Sequence, residues 1–220
     1  MSNNKLAKLL TDTLPFGRPT LFNPWRDHCT DDEPCNGPDE KLARLAAHLA
    51  CDPDFILCGE APSYRGCRHS GIAFTSEHLL LEGRIPRISR MSHRLTIKKD
   101  PYKEGSATTV WNALYSLGIE KRTILWNTLQ MHPYEPGNER SNRTPTLAEV
   151  IEFGKPALLM LLKEFPSAEV VAVGKTAKRL LDSMDIVYTP VRHPAYGGAT
   201  EFTEGLKSLA SGAPGRTAVE

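Results

Sequence analysis

Apolar positions along the chain follow two rhythms. Short unbroken runs bounded by Pro, Gly, Asp or Asn predict buried strands. They are "DFILC" at 54–58, "TILWNTL" at 123–129, "EVVAVG" at 169–174 and "IVYTPV" at 186–191. Between the runs, apolar residues recur every three or four positions and predict helices. These cover 39–50, a start near Ser76, 106–117 closed by Gly118, 146–164, 176–183 and 201–210. Thr146 followed three positions later by Glu149 is a helix-start signature. Fully apolar strands separated by helices imply a parallel sheet covered on both faces. The expected fold class is therefore α/β, a single three-layer α/β/α domain around a central four-stranded, mostly parallel sheet. Its expected span is 39–210. Residues 1–38, rich in Pro, Asn and Asp, are expected to be an irregular extension packed on the domain, with "FNPW" as anchor. Residues 211–220 are expected to be a flexible tail.

Composition adds limits. With 220 residues, 40% of them hydrophobic, the chain is long enough for one core of useful size. Its longest apolar run, "ALLMLL", falls far short of the ~20 residues that span a bilayer. The opening "MSNNKLAKLL" lacks the apolar centre of a secretory signal, so a cytoplasmic protein without membrane contact is expected. A net charge of +1 confines any polyanion-binding surface to a local patch, and 84–104 is the basic stretch. The five cysteines include no C-x-x-C pair, which disfavours disulfides and a structural zinc. Cys51 and Cys58 are expected in the core, and Cys29, Cys35 and Cys67 in loops.

In parallel sheets, ligands bind beyond the carboxyl ends of the strands. The segments there are "GEAPSYRG", then Asn127 and "MHPYEPGNERSNRTP", then "GKTA", then "RHPAYGG". An acid, an amide and a histidine thus point at one sheet edge. "GKT" at 174–176 is not a phosphate loop, because the required earlier glycine is Glu169. Gly174 is expected only to let the chain turn closely into a helix.

Three of these segments, "GEAPS…GIAFTS", "WNTLQMHPYEPGNERSNRTP" and "VRHPAYGG", resemble the active-site segments of the uracil-DNA glycosylase superfamily. The resemblance spans roughly 55–209 and is similar to both the iron–sulfur branch and the metal-free branch. It implies hydrolysis of the bond between uracil and deoxyribose in DNA. The partner is single- or double-stranded uracil-containing DNA, and a monomer is expected. Met131 stands where the iron–sulfur branch has a cysteine, 145–150 contain none, and five residues separate Cys29 from Cys35. Four thiolates cannot be assembled from that pattern, so no cofactor and no metal are expected.

The resemblance also implies roles. Phe74 stacks on the flipped base or is a core ring. Asn127 reads the uracil edge or caps a turn. His193 donates to the uracil oxygen or is a turn residue. Glu60 balances the cationic sugar and its water, or holds its loop. Gly59, Ala61, Ser63 and Tyr64 line the base pocket. Ala61 replaces a water-holding aspartate, and Ser63 replaces a tyrosine that excludes a 5-methyl group, with Tyr64 able to fill that gap. Arg143, Arg192 and Tyr196 form a DNA-binding rim, Tyr196 as a wedge. A relative acting on another deaminated or 5-substituted base, or a non-catalytic nucleic-acid binder, stays open.

Overall fold

The four hydrophobic runs form one parallel sheet. The computed structural model describes residues 2–212. In chain order its elements are α1 (Asn3–Asp12), β1 (Leu21–Phe22), α2 (Pro38–His48), β2 (Phe55–Gly59), α3 (Cys67–Ser70), α4 (Glu77–Leu81) and α5 (Gly105–Leu117). There follow β3 (Thr123–Asn127), β4 (His132–Pro133), α6 (Leu147–Glu149), α7 (Lys155–Glu164), β5 (Glu169–Val173), α8 (Gly174–Ser183), β6 (Thr189–Val191) and α9 (Ala199–Gly212). The sheet order is β3-β2-β5-β6, with Gly59 beside Asn127 at the carboxyl edge.

Strand side chains alternate between two cores. Ile56, Cys58, Ile124, Trp126 and Ala172 pack beneath α1, α2, α7 and α8. Phe55, Leu57, Leu125, Val171 and Val173 face α4, α5 and α9. Burial on both faces explains why these strands read as unbroken apolar runs. No helix among the described residues is long and apolar enough to cross a membrane.

The structure departs from the sequence reading in several places. Residues 1–38 are not wholly irregular: Leu6, Ala7 and Leu10 give α1 a buried stripe that packs on α2 and α7. β1 pairs antiparallel with β4, two short strands outside the four expected apolar runs. The second run stops being a strand at Asn127. The fourth keeps only Thr189–Val191, because Asp185 takes a left-handed turn (φ 59°) and Val187 points to solvent. The helix expected over 146–164 begins with the Thr146–Glu149 capping box but widens into a π turn at Val150–Gly154. Pro156 cannot donate to the carbonyl four residues back, so the ladder loosens just before it. Cys67 is buried rather than a loop thiol, and Cys51 is only partly covered. Of the tail expected over 211–220, Ser211 and Gly212 complete α9, and the rest lies outside the described residues.

Glu77 fastens the basic stretch to the domain. Fully buried, it accepts from Arg94 Nε (2.7 Å), Leu95 N (2.8 Å), Thr96 Oγ1 (2.7 Å) and Tyr102 N (3.1 Å). Burial alone would raise its carboxyl, but the bonds from Arg94, Thr96 and the two amides hold it below its ordinary value. A carboxyl depressed in the folded state gives stability that is present above its unfolded value near ~4.3 and lost as pH falls through its folded value. Glu77→Gln is expected to destabilise the neutral protein by about 3 kcal/mol. Its urea-unfolding stability should fall less than the wild type's between pH ~4.5 and ~3, and parallel pH curves would refute this account.

Candidate active site

The carboxyl ends of β2, β3 and β6 surround a cavity of about 370 Å³. Gly59, the last residue of β2, governs one wall. A Cβ there would lie 2.6 Å from Phe74 Cζ and 2.9 Å from Asn127 Oδ1, so the ring and the amide can both approach only because the side chain is missing. Phe74 itself is held at φ 49°, a strained value for a non-glycine residue. Trp111 Nε1 fixes it by donating to its carbonyl at 3.0 Å, and Ser70 Oγ donates to the Thr75 carbonyl at 2.7 Å. The strained turn sets the ring on the cavity wall.

Asn127 is 3% exposed, and among the described residues its Nδ2 is buried without a hydrogen-bond partner. Its side-chain donor therefore does not cap the turn after β3. That turn is closed by other groups: Thr128 N donates to the Gly59 carbonyl (2.9 Å), and Leu129 N (3.2 Å) and Thr128 Oγ1 (2.6 Å) donate to the Glu60 carbonyl. A buried amide with an unused donor is costly unless a ligand completes it.

His193 follows β6. Gly174 (φ 88°) makes room for it, because a Cβ there would lie 2.8 Å from His193 Cβ. The glycine of "GKT" therefore serves the histidine's placement as well as the turn into α8. Ala195 N donates to His193 Nδ1 at 3.1 Å, which makes Nδ1 the acceptor and puts the proton on Nε2. Burial and then the neighbouring Arg192 lower its pKa. The ring is a neutral imidazole with one N–H directed away from its own loop.

Glu60, Ala61 and Ser63 line the same cavity, so it gathers Gly59's two neighbours, the acid and the histidine. Ala61 offers no polar group. Tyr64 is not part of the cavity. Its hydroxyl bonds Asp31, and its ring packs against His69 and Tyr102. Arg143 reaches the cavity wall but is not a free cation. It pairs with Glu149 at 2.6 Å and donates to the Tyr134 and Thr20 carbonyls, because the β1–β4 junction needs those bonds. Arg192 is exposed, 4.0 Å from Glu201. Tyr196 is 97% exposed at φ 54°, on the loop just past His193.

Sequence reasoning missed Glu104, Ser106 and Asn142 in the cavity wall. Asn142 lay within the quoted "NRTP" segment; its Oδ1 accepts from Tyr64 N at 2.7 Å. Glu104 and Ser106 carried no motif at all. Of the basic stretch, Arg87 bonds the His48 carbonyl, Arg90 the Leu81 carbonyl, and Lys98 pairs with Asp31. Elsewhere, Cys29, Asp32 and His69 bring possible metal-ligand atoms within 4.8 Å of one another. Lys41 Nζ, 2.6 Å from Asp32, already supplies the positive charge a cation would bring.

A family model described as the uracil DNA glycosylase superfamily matches residues 47–210. No curated protein matches the sequence. Among solved structures, the chain is similar to wild-type SMUG2 of Pedobacter heparinus, with a TM-score of 0.64 and 14% identity. The match covers 96% of this chain and 97% of that one, and at such identity it speaks for the fold. The family match takes in every strand of the main sheet and the whole cavity: this chain belongs to the uracil-DNA glycosylase superfamily, a family of DNA glycosylases.

Proposed function

We propose that the protein hydrolyses the N-glycosidic bond of uracil in DNA after flipping the base out of the stack. The observation that carries this reading is the buried, unpaired Nδ2 of Asn127 beside the ring of Phe74, in one cavity. A flipped uracil stacked on Phe74 would present O4 to Asn127 Nδ2 and its N3–H to Asn127 Oδ1. Cytosine has an amino group and an unprotonated N3 at those positions, so both bonds would fail.

As the C1′–N1 bond breaks, its electron pair passes to the base and charge gathers on O2. His193 Nε2–H is the donor suited to that oxygen, and a neutral imidazole keeps its proton while stabilising it. The sugar becomes cationic at C1′. Glu60 lines the same cavity, where its carboxylate would balance that charge and take a proton from the water that adds to C1′. Ala61 leaves Glu60 the acid next to it in sequence for this task. Outside the cavity, Arg192 would meet phosphate and Tyr196 would fill the gap left by the base.

The deciding experiment is incubation with oligonucleotides carrying uracil, hypoxanthine or undamaged bases, followed by detection of free base. Uracil release supports the reading, and its absence would exclude it. His193→Ala is expected to slow single-turnover release by about 10²–10³-fold with DNA affinity little changed. ¹⁵N spectra of the wild type should show His193 in the Nε2–H tautomer, titrating below ~6.5; an Nδ1–H ring would contradict the assigned role. Tyr196→Ala is expected to raise KM about tenfold on duplex DNA, in line with one lost stacking contact, and much less on single strands. An equal effect on both would rule out the wedge.

A further inference from the structure

A second cavity, of about 330 Å³, is lined by Thr30, Asp31, Tyr64, Arg68, Glu139 and Arg140 among others. Ser63 and Asn142 line the first cavity, and Asn142 Oδ1 accepts from Tyr64 N at 2.7 Å, so the two share a wall. Arg68 is 1% exposed. Its guanidinium lies 3.7 Å from the centre of the Phe22 ring, with the Tyr64 and Tyr134 rings at 5.4 and 5.9 Å. Nη1 donates to His132 Nδ1 at 2.9 Å, and His132 Nε2 in turn donates to the Ser141 carbonyl at 2.9 Å. Burial, and then Arg68 itself, lower the His132 pKa to about 3, so this partner carries no charge at neutral pH. Arg68 Nε is buried without a partner among the described residues.

The charge of Arg68 is met by one acid. Glu139 Oε2 accepts from Arg68 Nη2 at 2.8 Å. The arginine is buried, but the Glu139 side chain is 65% exposed, on the turn between β4 and α6. A buried cation usually keeps an anion that is itself well held. Here, among the described residues, Arg68 is the only donor to the Glu139 carboxylate. Arg140 follows in sequence, with a side chain 63% exposed, and meets Asp31 Oδ1 at 3.2 Å. Lys98 Nζ lies 2.9 Å from the same oxygen, and Tyr64 bonds the other, so Asp31 keeps partners when Arg140 swings away. We propose that this second cavity binds a phosphodiester of the DNA strand, and that the Glu139 carboxylate is an internal stand-in that fills the site until DNA arrives. An incoming phosphate would take Arg68 Nη2 from Glu139 and draw Arg140 from Asp31, since guanidinium groups match phosphate oxygens in a fork. Glu139 leaves at small cost because its side chain is already mostly in water. The inference rests on DNA as the partner and not on which base is released.

The test measures affinity for an undamaged duplex oligonucleotide over a range of salt concentrations. The proteins are the wild type, Glu139→Gln, Glu135→Gln and Arg140→Ala, all changed at exposed side chains, so folding is not at stake. Glu139→Gln should tighten binding about threefold, the scale of one partly exposed ion pair, because the stand-in no longer competes. Glu135→Gln removes the same charge from the same turn without freeing Arg68, and should change affinity much less. Arg140→Ala should weaken binding about fivefold and lower the slope of log K against log salt by about one. No gain from Glu139→Gln, an equal gain from Glu135→Gln, or an unchanged slope in Arg140→Ala would each overturn the proposal. Uracil release is scored separately. A protein that binds in this way and frees no uracil would keep the phosphate site and lose only the proposed reaction on uracil.

Discussion

The missing side chain at Gly59 is the constraint around which the cavity is built. Phe74 and Asn127 both close on it, one from a strained turn and one from the neighbouring strand. Their spacing is set by backbone contact rather than by flexible side chains. Placements of this kind are the ones that survive thermal motion, and a shift of about 1 Å at such a site can cost 10²-fold in rate. Gly66 and Gly174 repeat the device, the first for Glu104 and Ser63 and the second for His193. Three glycines, each beside a strand or the loop that follows it, thus bring the polar groups of the cavity together.

Much of this was legible in the sequence, for identifiable reasons. Buried parallel strands must be apolar on both faces, so β2, β3 and β5 announced themselves. The rule that ligands gather at carboxyl ends then picked out Asn127 and His193 before any coordinates. Glu104 was invisible because it lies 38 positions beyond the nearest quoted glycine in its wall, Gly66, and no local pattern marks it. Tyr64 was misread because adjacency in sequence was taken for adjacency in space: Asp31, distant in the chain, holds its hydroxyl away from the cavity. Arg143 does line the cavity, but its donors are engaged by Glu149 and by the Tyr134 and Thr20 carbonyls, partners that its own motif does not reveal. α1 was hidden by the Pro- and Asn-rich residues that follow it, though Leu6 and Leu10 stand one helical turn apart.

The basic stretch shows how charge density misleads. A run of cations reads as a phosphate track, yet Arg87, Arg90 and Arg94 donate to backbone carbonyls or to Glu77. Guanidinium groups with five donors suit this work, because irregular backbone leaves many carbonyls unpaired. Here the charges hold a long loop in shape. The loop after β6 differs: Arg192 is exposed and has a carboxylate, Glu201, at 4.0 Å, and Tyr196 is 97% exposed.

The pairing of β1 with β4 has a consequence for the order of assembly. Leu21 and Phe22 wait for Pro133 and His132, roughly 110 positions later, and Thr20 waits further for Arg143. On a ribosome adding about 5–20 residues per second, that interval is on the order of ten seconds. During it the apolar stripe of α1 can dock on α2 but not on α7, which has yet to be made. α1 and β1 are thus among the last elements to close, although they precede the rest of the fold in the chain. A chaperone that shields short apolar helices would meet the nascent chain at α1, before any cavity exists.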